Sequence, residues 1–475
     1  MTRRAFCGTT AAAIGAAYMM PEMIGAATES APALPADDGS WQATRQNRQL
    51  TGIQPASALP FWRMWITTAK SKSSSRWAMD GSACCPAKAN LERLRKMQDQ
   101  VTLTQIRMIA DRFVEWQTPY GRPDPDRCPF VTPGKCISTR FHSPTFMAIG
   151  LYRAFEDTSE IVYKEAADRY IAFYLSCMRD PPTGGQRQDY PSYPYQYGMA
   201  LAGFEMFRKH NPAEDSMDGK AAALYEWLAR WKWEQGSYFR NGYGSERHGV
   251  IDSANSDDNC HMGRGLIGYY HVSGRRDVLY DAEGLARYYL TEAQTGSYDG
   301  CWSSALGTWV VAPTIIDSFE HFRGQRSCEM GWGFSSVGAI EFLCKVAAVT
   351  GSAELKQRIA EKCARSMRWQ FEACQFEDGS CGMRGRDDKW LGMTAGAILS
   401  YLRTRDAGLL SEETIAQCRP RALAAKDWIR EHLTPETVLT GGYFKVTGDS
   451  EPRPPENQAW MLGWTLDALG RFEQI

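Results

Sequence analysis

Twelve helical segments follow one another between Leu91 and the C-terminus, and they alternate in kind. In the first, Leu91, Leu94, Met97, Val101, Ile106, Ile109 and Phe113 recur at three- to five-residue steps, the spacing of one helix face. The others run over about 143–155, 159–178, 191–209, 218–233, 257–273, 275–293, 329–349, 353–372, 390–404, 411–433 and 457–473, divided by loops rich in Gly, Pro, Asn and Asp. Every second segment follows a long loop and mixes small residues with aromatics on nearly all faces, as with Gly263, Gly265, Gly268 and Tyr269, or Gly331, Gly333, Gly338 and Ala339. Its successor carries one charged face, as from Asp277 to Tyr289 or from Glu354 to Trp369. A helix apolar all round is buried and one with a polar face lies outside, so the alternation predicts an inner and an outer layer. Strand signals are confined to Thr308-Trp-Val-Val and to the stretch from Thr440 to Val446.

Inner-helix starts near 143, 191, 257, 329, 390 and 457 are separated by 48 to 72 residues. An α-solenoid holds a tighter period than this. The expectation is therefore an all-α chain: an (α/α)6 toroid of six helical hairpins over 91–475, preceded by an extended arm over 28–90. The arm is polar, rich in Ser, Pro, Gln and Thr, but Trp41, Phe61, Trp62, Trp65 and Trp77 interrupt it. Pure linkers seldom carry so many aromatics, which suggests a strap over a folded body.

Residues 1–27 read as an export signal: Arg3-Arg4, a weak apolar stretch, then Gly25, Ala26 and Ala27. The order Thr2-Arg3-Arg4-Ala5-Phe6 resembles the bacterial twin-arginine motif and implies a periplasmic or secreted protein. With 54 Lys+Arg against 55 Asp+Glu and no basic block, the chain lacks the face that nucleic acid requires. After the first thirty residues it has no apolar run of membrane-spanning length. Oligomeric state is left open. Thirteen of the 14 cysteines lie beyond Cys7 without fixed spacing, so some disulfides are expected in an oxidising compartment. Cys84-Cys85-Pro86 resembles the Cys-Cys-Pro of bacterial beta-L-arabinofuranosidases. It precedes the helical body, however, and the Glu-x-Cys partner is missing, which leaves a structural or disulfide role.

If the inner helices are parallel, their N-termini open at one mouth and present unpaired N–H groups there. The six starts are polar and aromatic: Arg140-Phe-His142; Tyr190-Pro-Ser-Tyr193-Pro-Tyr195-Gln-Tyr197; Asn255-Ser-Asp257-Asp258-Asn259-Cys-His261; Arg323-Gly-Gln-Arg326-Ser-Cys-Glu329-Met-Gly-Trp332; Arg384-Gly-Arg386-Asp387-Asp388-Lys389-Trp390; and Arg453-Pro-Pro-Glu456-Asn457-Gln458-Ala-Trp460. Each acid also has a plain structural reading as a helix-start residue, worth about 1 kcal/mol. Asp387-Asp388 between Arg386 and Lys389 reads as a local ion-pair loop. No metal-binding spacing, phosphate loop or nucleophile elbow occurs, and no metal or cofactor is expected.

This composition is that of a sugar-binding cleft, and the chain resembles the (α/α)6 carbohydrate-active enzymes, which include unsaturated glucuronyl hydrolases and polysaccharide lyases. Asp257-Asp258-Asn259-Cys-His-Met followed by Tyr269-Tyr270-His-Val-Ser-Gly-Arg-Arg is similar to an inner-to-outer helix step of those hydrolases. Gln375-Phe-Glu-Asp378-Gly379-Ser is similar to their Gln-x-x-Asp-Gly turn. The resemblance spans most of 92–473 and implies an oligosaccharide or polysaccharide partner. Hydrolysis needs an acid and a second carboxylate, for which the rim offers Asp257 or Asp258 with Glu329 or Glu456. Elimination needs a base and a group that neutralises a uronate, for which it offers Tyr195, Tyr197 or His261. Carboxylates at four of six helix starts favour hydrolysis. Arg140, Arg326 and Arg386 favour an anionic glycan. His142, Tyr193, Asn255, Trp332, Trp390, Asn457 and Trp460 complete the expected binding surface, and a non-catalytic glycan binder is the remaining alternative.

Overall fold

A computed structural model describes residues 86–130, 142–177, 194–232, 256–293, 300–310, 331, 333–386, 388–444 and 459–475. Side chains of 86–98, 142, 143, 257, 443 and 444 lie outside the description. The expected helices are all present: α1 (Pro86–Glu115), α2 (His142–Thr158), α3 (Ile161–Cys177), α4 (Pro194–His210), α5 (Asp218–Ala229), α6 (Ser256–Ser273), α7 (Arg276–Leu290), α8 (Gly333–Val349), α9 (Ala353–Trp369), α10 (Leu391–Asp406), α11 (Glu412–His432) and α13 (Ala459–Leu469). A further short helix, α12 (Pro435–Leu439), is closed by a capping box at Thr434 and Thr437. Two small antiparallel ladders are also present, β1 (Trp302–Ser303) with β2 (Thr308–Trp309) and β3 (Lys389–Trp390) with β4 (Tyr443–Phe444), together with a π-helical turn over Gln370–Cys374 and a 3-10 turn over Phe472–Gln474.

Six helices form a closed inner ring in the order α2, α4, α6, α8, α10, α13 and back to α2. The outer helices sit over them: α3 over α2 and α4, α5 over α4 and α6, α7 over α6 and α8, α9 over α8 and α10, and α11 over α10. The sixth pair joins the two ends of the helical body, because α1 packs on both α13 and α2. This is the (α/α)6 toroid that the alternation predicts, and the hydrophobic core fills the space between its rings.

Burial explains the layering. Residues 391–402 of α10 are buried on every face. On the outer helix α9 only one stripe is buried, Leu355, Ile359, Cys363, Ser366 and Met367, at helical spacing. Each large aliphatic in such a stripe contributes about 2 kcal/mol when removed from water, enough to orient the helix but not to hide its charged face. Two outer helices, α9 and α11, start with side-chain caps, Ser352 accepting from the Leu355 amide and Ser411 from the Thr414 amide.

Glycines set the spacing of the inner ring. A Cβ on Gly198 of α4 would stand 2.5 Å from the Met262 Cα of α6 and 2.6 Å from the His261 carbonyl oxygen, and Gly265 meets the Gly198 backbone in return. The two backbones touch, and no larger residue fits at either position.

At the C-terminal side of the inner ring, ion pairs run through all six helices. Arg153 of α2 pairs with Asp467 of α13 at 3.3 Å, Asp467 with Arg403 of α10 at 2.8 Å, Arg403 with Glu341 of α8 at 3.1 Å and Glu341 with Arg264 of α6 at 3.1 Å. Glu205 of α4 is held by His271 of α6 at 2.7 Å and Lys345 of α8 at 2.5 Å, and Glu156 of α2 takes Lys209 of α4 at 2.6 Å. Burial alone would raise the Glu341 carboxyl, but Arg264 and Arg403 overcome it and hold the group below its usual range. Asp467 is likewise held well below it by Arg153, Arg471 and Arg403 against the effect of burial. Like ends of neighbouring helices meet throughout, so the six inner helices are parallel and their N-termini share one end.

The expectation of disulfides is not met at Cys301, Cys344, Cys363, Cys381 and Cys418, which are thiols in the structure. Burial pushes the thiols of Cys301, Cys363 and Cys381 well above the ordinary range, which marks them as packing groups. Cys84 and Cys85 lie outside the described residues.

Candidate active site

The first turns of the inner helices converge on His261. Its imidazole is 5.4 Å from the Phe334 ring of α8, 5.8 Å from Phe146 of α2 and 6.4 Å from Tyr195 of α4. Phe334 in turn packs 4.7 Å from Trp460 and 5.1 Å from Trp464, both of α13. Five of the six inner helices thus contribute a ring to one cluster at the mouth end. The direct contact of α4 and α6 at Gly198 and Gly265 places Tyr195 and His261 in it, since each lies one turn before its glycine.

Asp258 is three positions before His261 on α6, on the same helix face and one turn nearer the mouth. It is half-buried, whereas His261 is buried. One turn beyond His261, Arg264 is buried with its guanidinium 5.4 Å over the Phe146 ring and paired to Glu341. The lumen face of α6 therefore descends from carboxylate to imidazole to guanidinium, and the last of these enters the ion-pair circuit.

The other expected site residues fall in several places. Tyr197 is separated from Tyr195: it is fully buried against the outer layer, 6.0 Å from the Trp227 ring of α5, because residues two apart on a helix face different ways. Trp390 is buried at the start of α10, its amide donating to the Cys381 carbonyl at 3.0 Å. Arg386 is exposed and donates through Nε to the Gln375 carbonyl at 2.8 Å. Lys389 pairs with Asp378 at 2.5 Å, across the hairpin and outside its own loop, and Asp378 also accepts from the Ser380 hydroxyl at 2.6 Å. The Gln375–Ser380 turn is thus closed on itself, with Gly379 at a φ of 95° that favours glycine.

Arg140, Tyr193, Asn255, Arg326, Glu329, Trp332, Asp387, Glu456 and Asn457 lie outside the described residues, as do the side chains of His142 and Asp257. The backbone of Asp257 lies in the first turn of α6 and that of His142 begins α2. Among the described residues no three His, Cys, Asp or Glu side chains come together as a metal site.

Sequence reasoning missed Phe146, Phe334, Trp464 and Arg264. A signal was present, because Phe146 is four residues after His142 and Trp464 four after Trp460. Following each rim residue one turn into its helix finds them.

No family model matches the sequence, and no curated protein matches it either. Solved structures do match in fold. A polysaccharide lyase aligns with a TM-score of 0.56 at 12% identity, over 79% of this chain and 98% of its own. A glycosyl hydrolase family 88 protein from Bacteroides vulgatus aligns with a TM-score of 0.54 at 11% identity, over 79% and 99%. An α-1,6-mannanase of family 76 from Salegentibacter, an inactive variant with two adjacent aspartates changed to asparagine and solved with α-1,6-mannotriose, aligns with a TM-score of 0.53 at 10% identity, over 78% and 99%. Sugar epimerases are among the other matches. The chain has the (α/α)6 fold of carbohydrate-active enzymes, a fold that spans hydrolysis, elimination and epimerisation in these neighbours.

Proposed function

We propose that this chain is an exported glycoside hydrolase that cleaves a glycan bound at the mouth of its inner ring, with Asp257 and Asp258 supplying acid/base chemistry. The observation that carries this reading is the start of α6, where Asp258 stands one turn above His261 on a lumen face walled by aromatic rings from four other helices. Aromatic faces suit the C–H faces of pyranoses, and a half-buried carboxylate beside them can reach a glycosidic oxygen. That the mannanase with the same fold is inactive without two adjacent aspartates supports the choice of this pair. Glu329 and Glu456, at two other inner-helix starts, are the candidates for the opposing carboxylate. A separation of about 5 Å between the pair would retain configuration and ~6.5–9.5 Å would invert it.

An anionic substrate is part of the proposal. Its support is the set of arginines at inner-helix starts, of which Arg386 is exposed. Export to the periplasm or beyond rests on Arg3-Arg4 and the stretch that follows.

One observation favours a second reading. Tyr195 and His261 sit side by side in the lumen, 6.4 Å between ring centroids, and a Tyr/His pair beside a uronate is the equipment of a lyase. The test is to incubate the mature protein with acidic and neutral polysaccharides while following reducing ends and the absorbance of unsaturated uronates. New reducing ends without the chromophore establish hydrolysis. Both signals together, lost in Tyr195→Phe or His261→Ala, establish elimination. Binding without either signal across the panel overturns both in favour of a glycan-binding protein.

A further inference from the structure

The mouth end of α6 is tied down by a group of buried hydroxyls that neither reading above uses. Ser256, the first residue of α6 and the neighbour of Asp257, is fully buried. Its Oγ donates to the Val310 carbonyl at 2.6 Å and lies 3.2 Å from the Ser335 Oγ of α8. Its carbonyl accepts from the Tyr289 hydroxyl of α7. Tyr289 is fixed in turn: its carbonyl accepts from the Trp309 indole Nε1 of β2 at 2.8 Å, and its ring packs edge-on to Trp309 and to Phe342 of α8. Next to these, Thr308 of β2 joins Ser336 of α8 at 2.7 Å and Ser366 of α9 at 2.9 Å.

Such a network is costly to bury unless each member is satisfied, and a satisfied one fixes its members in a single arrangement. An apolar seam would hold α6 against α8 equally well and would not define the height and rotation of its first turn. The hydroxyls do define it, because the Ser256 side chain and carbonyl are each held by a different element.

We infer that Tyr289 and Ser256, through the β1–β2 hairpin, are positioning residues that fix the α6 start and with it the carboxylates of Asp257 and Asp258. Neither touches substrate. The inference rests on the proposed role of the aspartate pair, and it makes the hairpin, about fifty residues from Asp257 in sequence, part of the catalytic apparatus.

Tyr289→Phe removes one hydroxyl and keeps the ring, so the protein should fold. Hydrogen exchange followed by mass spectrometry on the full chain should show faster exchange at residues 257–261 and unchanged exchange at the start of α10. Steady-state turnover on whichever polysaccharide the wild type cleaves should show kcat per folded molecule lower by roughly tenfold to a hundredfold, with KM unchanged, as expected when reacting groups shift by about 1 Å. Ser256→Ala should act in the same direction and Ser256→Thr, which keeps the hydroxyl, should restore most of the loss. If exchange at 257–261 and kcat both stay at wild-type values in Tyr289→Phe and Ser256→Ala, the inference is wrong. If exchange rises while kcat holds, the aspartate pair is not the catalytic one, so the proposed function fails and the positioning claim falls with it. Loss of Tm with kcat per folded molecule intact reduces the network to a stabilising role and overturns the inference as well.

Discussion

At the C-terminal side of the inner ring, the end closed by ion pairs, Asp467 lies among Arg153, Arg403 and Arg471, at 3.3, 2.8 and 3.1 Å. Toward the mouth along the same helix, Trp464 one turn away and Trp460 two turns away lie among Phe334, Phe146 and the imidazole of His261. The closed end matches charge with opposite charge through all six helices. The mouth end gathers aromatic faces around an imidazole, with a carboxylate one turn above. Ion pairs fix relative position, whereas rings around an imidazole form a surface of aromatic faces. The difference lies along the helix axis: paired charge gathers toward the C-terminal ends and aromatic rings toward the N-terminal ends, where the proposed chemistry would sit.

The largest expected effect tests the closed end. Asp467→Ala would leave three arginines facing a missing partner, and removing one member of a buried ion-pair group costs about 3–5 kcal/mol. Urea unfolding should register that loss, while glycan cleavage per folded molecule stays near wild type. A parallel collapse of kcat at full folding would abolish the distinction between the two ends. Next comes the mouth. Asp258→Asn keeps the shape of the side chain and removes its transferable proton and charge, so turnover should fall by roughly a hundredfold or more with ligand affinity and unfolding midpoint retained. Wild-type cleavage by this variant would remove Asp258 from the site.

Third in size is the contact that joins the ends. Gly198→Ala would force a Cβ into the α6 backbone, an overpacking that costs about 1–3 kcal/mol. Because Tyr195 and His261 are set by that contact, circular dichroism melts and glycan binding should both suffer. A variant that loses stability alone would show that the mouth does not depend on the α4–α6 spacing.

The helices and their two layers were legible because burial on all faces or on one is written in composition at 3.6-residue spacing. The closed-end circuit was not. Arg264, Glu341, Arg403 and Asp467 are brought together from positions up to about two hundred residues apart, and sequence alone cannot say which charges inside apolar helices find each other. The hint was their location, since a charge in a helix buried all round must be paired. At the mouth the sequence placed Tyr195 and Tyr197 on the same helix start, but rotation about the axis was not legible: Tyr195 joins His261 and Tyr197, two residues on, faces Trp227. The pairing of Lys389 with Asp378 was not legible for the same reason, because the Gln375 turn and the start of α10 are brought together in space.

The smallest effect is a matter of pH and concerns Glu205, where the closed end approaches the surface through half-exposed His271. Burial would raise this carboxyl, but Lys345 and His271 bring it down to about 2. A carboxyl whose folded value lies below its unfolded one adds stability that is complete above about 4.5 and is lost as pH falls from there toward 2. Solvent near His271 screens the pair, so Glu205→Gln should cost on the order of 1–2 kcal/mol at pH 7. The gap between variant and wild type should narrow below pH 4.5 and close near pH 2. Catalysis at neutral pH should be untouched, because Glu205 is about three helical turns from Tyr195 along α4. A gap that stays constant from pH 7 to pH 2 would mean that Glu205 contributes packing and no charge, and a fall in kcat would mean that the closed end reaches the mouth after all.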